Sequence, residues 1–478
     1  MRSRSARPFA GEAPTTKESL VSSIALILAA GEGTRMKSDK PKVAHEILGM
    51  PMVQWVVRAA TAAGCERIIA ITGHKAEAVE ALLPGIASAR QDQQLGTGHA
   101  VMCAREALQG TTGSLLVLSG DTPLLSAETI SGLVAMRESS GSVLTLLTAH
   151  LADPTGYGRI VRDMRDGSVE RIVEEKDCTP EQRRITEFNT GTYCFDSAVL
   201  FAHLDRLTTE NAQGEYYLPD MVAVFGGEGL TVSAMATDDP LETLGVNSRV
   251  QLAEAAKIMQ RRINRHHLLA GVTMTDPDLV WIGPDVELGR DVELLPMTFL
   301  SGVTKIGDRA VIGPNSRLTN AAVAEDAVVD ASIVTEAVVG RAATVGPVSY
   351  LRKGAVLHAR AKAGACVEIK NSVVGEGSKV PHLSYIGDAT IGTGVNVGAG
   401  SITCNYDGFE KHPTVIGDGA FIGSDTMLVA PVTVGEGSVT AAGSTIARDV
   451  PAGSLALERT KQITVEGWAA RQRAKKEI

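Results

Sequence analysis

The chain has 478 residues, 44% hydrophobic and 21% charged, which fits a globular protein of two to four domains rather than one core. Its net charge of -9 excludes general nucleic-acid binding, because nothing neutralises a phosphate backbone, yet a few placed cations can still hold a small phosphorylated molecule. Aromatic residues make up only 4% while glycine reaches 49, a composition suited to small, regular packing layers.

The opening stretch MRSRSARPFAGEAPTTKESL is basic but lacks an apolar core, so it reads as a disordered leader over residues 1–21 and not as a signal peptide. No apolar run approaches the roughly 18 residues that span a bilayer. The six cysteines show no CxxC pair and no metal spacing, as expected of reduced thiols in a cytoplasmic protein.

Residues 22–247 alternate apolar strands with helices. Strands are expected at Ile24–Ala29, Arg67–Thr72, Leu115–Leu118 and Val143–Thr148, with a helix at Val53–Ala63. This alternation implies an α/β fold, a mostly parallel Rossmann-like sheet covered on both faces, with ligands at the carboxyl ends of its strands.

The first strand runs into Ala30-Gly31-Glu32-Gly33-Thr34-Arg35-Met36, with Pro41-Lys42 close behind. Two glycines let backbone N–H groups approach an anion, and Arg35 and Lys42 supply positive charge for a polyphosphate. Neither the Walker pattern nor the full dinucleotide fingerprint is present. As a whole, Leu28-Ala29-Ala30-Gly31-Glu32-Gly33-Thr34-Arg35-Met36 with Pro41-Lys42 resembles the signature of sugar-1-phosphate nucleotidyltransferases.

That resemblance implies a set of roles. Ala29, Ala30, Gly31, Arg35 and Lys42 would meet the triphosphate of UTP, with Arg35 and Lys42 catalytic. Gln91 and the Gly96-Thr97 backbone of Gln94-Leu95-Gly96-Thr97-Gly98-His99 would read the uracil edge. Asp121, after the strand Leu115–Leu118, would hold Mg²⁺ with Asn247, since this hard cation prefers oxygen ligands; a lone Asp there also serves as a helix cap. Gly158, Glu174 and Asn189 would bind the sugar, and Asn211-Ala212-Gln213-Gly214-Glu215-Tyr216-Tyr217 is characteristic of the same enzyme. Ser119 stands where some relatives carry Tyr.

Residues 248–270 read as a linker helix, with Leu252, Ala256, Met259 and Ile263 on one stripe. From 271 to 478 the apolar period becomes six. Ile306, Ile312 and Leu318 are followed by Val339, Val345, Leu351 and Leu357, then Val374, Val380 and Ile386, then Ile391 and Val397, then Ile416, Ile422, Leu428 and Val434. Such a period fits a left-handed parallel β-helix of hexapeptide repeats, a prism whose interior has no room for rings. The stretch Thr403–Thr414 breaks the period and is expected to loop out, where binding groups usually sit.

Hexapeptide prisms include acyltransferases and mere scaffolds, so residues must decide. His382 has no carboxylate within five residues, and a neutral imidazole could take a proton from an attacking amine. With Tyr385, Asn396, Gly398-Ala399-Gly400, Thr403-Cys404-Asn405-Tyr406-Asp407-Gly408 and Gly423-Ser424-Asp425-Thr426, it resembles the acetyltransferase half of the bacterial bifunctional N-acetylglucosamine-1-phosphate uridylyltransferase/glucosamine-1-phosphate N-acetyltransferase.

By that resemblance His382 is the general base, and Arg352, Lys370, Tyr385 and Asn396 bind the sugar phosphate. Asn405 and Tyr406 lie in the same site, with Ala399, Ser424, Ala442 and Arg459 lining the acetyl-CoA site. Glu368 either orients the substrate amine or is a solvated edge. The basic tail Arg471–Lys476 reads as a solvated end, with contact to CoA phosphates as the alternative. Lys353 and Ala365-Cys366 depart from the family pattern.

The resemblance spans roughly residues 22–467 and implies a homotrimer with acetyl sites where prisms meet. It implies acetyl transfer to glucosamine-1-phosphate followed by uridylyl transfer to the product. Two other readings are a single-activity nucleotidyltransferase whose prism only assembles or regulates, and a non-catalytic exchange-factor subunit.

Overall fold

The computed structural model describes residues 23–475, so the leader reading over 1–21 and Lys476 of the basic tail lie outside the described residues. The chain divides between Lys257 and Ile258 into two compact units.

The first unit is an α/β layer structure. Its central strand, Ser23–Leu28 (SIALIL), is buried along almost its whole length, as a parallel strand covered on both faces must be. The sheet runs in the order Val232–Ala236, Leu144–His150, Glu187–Asp196, Ser114–Ser119, Ser23–Leu28, Arg67–Thr72, Ala87–Arg90. Neighbours pair in parallel, except that Glu187–Asp196 runs antiparallel to both strands beside it. A short antiparallel pair, Arg159–Arg162 with Val169–Val173, extends from that reversed strand. The main run of the sheet is therefore mostly parallel, as the alternation suggested, and is made mixed by one reversed strand and the antiparallel pair that extends from it. The expected helix lies at Met52–Ala62. Ser114–Ser119 and Ser23–Leu28 both point their carboxyl ends the same way, which gathers the Ala29–Gly33 and Gly120–Asp121 turns.

The helix Arg249–Leu269 follows. Its Gln260 and Asn264 amides donate to the Val280 carbonyl at 2.6 and 2.9 Å, so they cap carbonyls that no preceding coil pairs.

The second unit is a left-handed parallel β-helix with three sheets of 11, 10 and 9 short strands, each strand pairing with the equivalent one in the next coil. The register is regular: Leu294 pairs with Ile312, and Ile312 with Val329. Every aliphatic of the six-residue period is buried, from Ile306 and Ile312 to Leu428 and Val434. Each such side chain contributes roughly 1.5–3 kcal/mol of burial. The continuous core contains no aromatic ring; Tyr350 and Phe421 stand on the outside. Buried hydroxyls add a second ladder, in which Ser316, Ser332 and Ser349 each accept a backbone N–H from the next coil at 3.0–3.2 Å. The excursion expected over Thr403–Thr414 leaves the prism only over residues 405–413, pinched by an antiparallel bridge between Tyr406 and Lys411; Thr403, Cys404 and Thr414 stay in the strands Ile402–Cys404 and Thr414–Ile416.

Candidate active sites

In the first unit a cavity of about 310 Å³ opens at the carboxyl ends of the central strands. Ala29, Ala30, Gly31, Lys42, Gln91, Gly96, Thr97, Asp121 and Glu215 are among its walls. The turn at Gly31–Gly33 needs glycine at 33 for two reasons. Its φ is +68°, and a Cβ there would run into the Lys42 side chain.

Lys42 is the focus of the cavity's charge. Its Nζ donates to Asp121 Oδ2 at 2.5 Å and to Asn247 Oδ1 at 3.1 Å, joining residues 79 and 205 positions away. The backbone fixes this meeting, because Val246 N–H donates to the Asp121 carbonyl at 2.8 Å. Two oxygen acceptors thus converge on one cation. That donor set suits Mg²⁺, with the lysine ammonium as stand-in.

Gln91 is buried and spends its amide on the Gly96 carbonyl at 3.0 Å and on His99 Nδ1 at 3.2 Å. It therefore braces the Gly96–Thr97 segment, leaving only its Oε1 for a base. Gln94, not singled out from sequence as a contact, donates to the Ala30 carbonyl at 2.7 Å and closes the loop over the strand end. Arg35 stands exposed on its 3-10 turn and is not among the cavity walls.

Gly158, Glu174 and Asn189, the residues expected to hold the sugar, come together. Asn189 N–H donates to the Gly158 carbonyl at 2.8 Å, and a Cβ on Gly158 would lie 3.2 Å from Glu174 Oε1. Asn189 pairs with the Tyr193 hydroxyl at 2.8 Å. Burial first, then Asp220 and Asp177, push the Glu174 carboxyl above its ordinary range. Ser119 Oγ sits near Gly191, so no ring fills that side.

In the second unit the register sorts the residues onto two corners of the prism. Lys379 pairs with Asn396, and the turn that follows carries His382 beside Ala399-Gly400, with Gly400 N–H donating to the His382 carbonyl at 3.3 Å. The same turn repeats in later coils: Asp425 N–H meets the Ala399 carbonyl at 2.7 Å, Gly443 N–H meets that of Ser424 at 2.8 Å, and Arg459 Nη1 meets that of Ala442 at 2.9 Å. His382, Ala399, Ser424, Ala442 and Arg459 therefore form one corner ladder. The His382 imidazole is exposed and has no hydrogen-bond partner among the described residues.

Arg352 and Lys370 stand at the far end of the adjoining sheet, where Arg352 N–H donates to the Ile369 carbonyl at 2.8 Å. Glu368 accepts Arg352 Nη1 at 2.8 Å, so its carboxylate is already engaged. Asn405 donates to Asp388 at 2.5 Å. Gly387 makes room for this group, since a Cβ would collide with both the Tyr385 hydroxyl and Asn405 Nδ2.

Lys411, on the protruding loop, lies beside Lys370 and holds that ammonium below its ordinary lysine value. The two like charges favour a nearby anion, and the reading from sequence did not single out Lys411 although it singled out the loop. Tyr406 is 60% exposed and donates to the Gly408 carbonyl, so it shapes the loop itself. Lys353 pairs with Glu336 at 2.7 Å, away from this group, and Cys366 is an exposed corner residue with φ +56°. The tail helix Trp468–Ala474 has no buried residue.

Comparison with known proteins bears on both sites. A MobA-like NTP transferase domain matches residues 25–188, and a bacterial transferase hexapeptide of six repeats matches 413–448. A bifunctional protein GlmU of Trichlorobacter lovleyi is 50% identical over 94% of this chain and 99% of its own. Those of Heliobacterium modesticaldum and Exiguobacterium sibiricum are 51% and 52% identical over 94% and 92% of the chain, and 98% of each relative. The chain belongs to the bifunctional GlmU family. Both halves of a GlmU chain are thus present in order, which sets aside the single-activity and exchange-factor readings. No helix among the described residues is long and apolar enough to cross a membrane.

Proposed function

We infer that this chain makes UDP-N-acetylglucosamine by two reactions: acetyl transfer from acetyl-CoA to glucosamine-1-phosphate, then uridylyl transfer from UTP to the N-acetylated product. We assign the second reaction to residues 22–247 and the first to 271–478, with the 248–270 helix as linker. The observation that carries this reading is family membership over nearly the whole length, with a polar site in each half.

In the uridylyl site, Gly31 and its neighbours cradle the triphosphate and Lys42 and Arg35 neutralise it. Asp121 and Asn247 would offer oxygen donors to Mg²⁺, which would supply charge stabilisation at the phosphates. Gly158, Glu174 and Asn189 orient the sugar so that its phosphate oxygen attacks the α-phosphorus in line. The new P–O bond forms as the bond to pyrophosphate breaks, with alignment and charge as the protein's contribution.

In the acetyl site, Arg352, Lys370 and Lys411 hold the sugar phosphate, with Tyr385, Asn396, Asn405 and Tyr406 around the sugar. The corner of Ala399, Ser424, Ala442 and Arg459 receives acetyl-CoA. His382 takes a proton from the substrate ammonium as the amine nitrogen attacks the thioester carbonyl; the C–N bond forms, the C–S bond breaks and the thiolate leaves. A homotrimer is supported by the separation of these groups on two corners of one prism, which a neighbouring prism can bridge.

The test measures thiol release from acetyl-CoA and pyrophosphate release from UTP on the full chain. Both activities are expected, each requiring its own sugar phosphate. Loss of one from well-folded protein would reduce the reading to the other.

A further inference from the structure

Beneath the residues assigned to the sugar lies a buried charge. Arg159 is 1% exposed, the largest fully buried side chain in the molecule's described residues. Its Nη2 lies 2.8 Å from Glu175 Oε2, its Nη1 donates to the Tyr157 carbonyl, and its Nε has no partner. Burying a guanidinium is costly even when paired, and an orphaned N–H adds to that cost. A position that serves packing alone would be filled more stably by a Leu or Met.

The register shows what this charge holds. Arg159 pairs across to Val173 on one side and to Phe188 on the other. Gly158 precedes Arg159, Glu174 follows Val173 and Asn189 follows Phe188. Each of the three sugar-pocket residues is thus the immediate neighbour of a residue on the Arg159 rung. Glu175 closes the arrangement, since the Oε2 that meets Arg159 also accepts the Gly156 N–H at 3.3 Å. The ion pair therefore clamps the Gly156-Tyr157-Gly158 turn, which needs φ +92° at Gly156, against the strand end that carries Glu174.

We propose that the Arg159–Glu175 ion pair is a positioning device for the sugar-1-phosphate acceptor: it sets the spacing between Gly158 and Glu174 and so determines acceptor affinity. Neither residue touches the acceptor. The proposal rests on the reading that Gly158, Glu174 and Asn189 hold the sugar, and the experiment separates the two.

Steady-state uridylyl transfer is measured on the full chain for Glu175→Gln, with KM for the sugar phosphate and for UTP determined separately and thermal unfolding in parallel. Glu175→Gln keeps the shape but removes the charge. The expected result is at least a tenfold rise in sugar-phosphate KM, with UTP KM and kcat within about twofold. Glu175→Asp, which restores the charge on a shorter arm, should recover part of the loss. Should Glu175→Gln not fold, Arg159→Lys reads the same quantity, because one ammonium cannot serve both Glu175 and the Tyr157 carbonyl. Unchanged sugar-phosphate KM, or equal rises in both KM values, overturns the proposal. Glu174→Gln and Asn189→Ala are run alongside: if they too leave sugar-phosphate KM unchanged, the pocket reading itself has failed.

Discussion

The two units place functional groups by different means. In the first, Lys42, Asp121 and Asn247 are brought to one point from three segments spread over 205 positions of chain, and the meeting is enforced by strand ends and by backbone bonds such as that from Val246 to Asp121. In the second, the step from His382 to Ala399 to Ser424 to Ala442 is the repeat itself, one corner climbed coil by coil. A site assembled by tertiary convergence is enclosed and depends on many contacts. A site assembled by periodicity is open and depends on register; of its two corners, the one that carries Lys370 gains depth from the 405–413 loop. The contrast teaches that the same polar groups can be held by two kinds of constraint, one global and one local.

The largest effects should respect that division. His382→Ala is expected to cut acetyl transfer by about 10²–10⁴-fold, the usual weight of a general base, and to leave pyrophosphate release from UTP unchanged; thiol and pyrophosphate assays on one preparation check it. Lys42→Ala should lower uridylyl transfer by about 10²–10³-fold, in the range for a lost charge-stabilising donor, with thiol release intact. A loss of both activities in either variant would break the comparison, because it would make the sites dependent on one another.

Packing provides a smaller test. Ile422→Ala empties a position that is 0% exposed and should destabilise the prism by about 2–5 kcal/mol, whereas Ile422→Phe should cost about 1–3 kcal/mol by overpacking. Denaturant unfolding of both variants measures this; a Phe accommodated without loss would contradict an interior closed to rings.

The smallest effects lie in pH dependence, and they have opposite signs in the two units. Burial, with Asp220 and Asp177, raises the Glu174 carboxyl, so the ionised acceptor of sugar hydroxyls is lost at a higher pH than in free glutamate. The KM for the sugar phosphate in uridylyl transfer should therefore climb as pH falls through the range above the ordinary carboxylate value. The linked stability runs the other way: the native state binds more protons than the unfolded one in that window, so this group's contribution falls as pH rises through it. Lys411 lowers Lys370, so the KM for glucosamine phosphate should climb as pH rises, beginning below the ordinary lysine value. Matched profiles from pH 5 to about 10 would sharpen the contrast.

Much of this was legible in the chain. The strand Arg67–Thr72 was expected at its observed limits, and each aliphatic of the hexad pattern is buried, because periods of burial are written residue by residue. The excursion from the prism at residues 405–413 was visible, within a residue or two, for the same local reason. What escaped was relational. Glu187–Asp196 has the apolar character of its neighbours, and nothing in that character tells which way a strand runs. Lys411 carries no mark in sequence that places it beside Lys370, and Gln91 does not reveal that its amide is spent on Gly96. The serine ladder from Ser316 to Ser349 looks like scattered polar residues until the coils are stacked.

The sequence by itself determined the two-unit plan, the prism, the family resemblance and the identity of the chemical groups, since these follow from local pattern and residue type. Tertiary structure alone decided that Lys42 rests between Asp121 and Asn247, that Glu368 is engaged by Arg352, and that a buried Arg159 shares a rung with the residues next to Glu174 and Asn189. Hydrogen bonds and ion pairs between residues far apart in the chain depend on where the backbone carries each partner, a property of the whole packed fold that no local window of sequence contains.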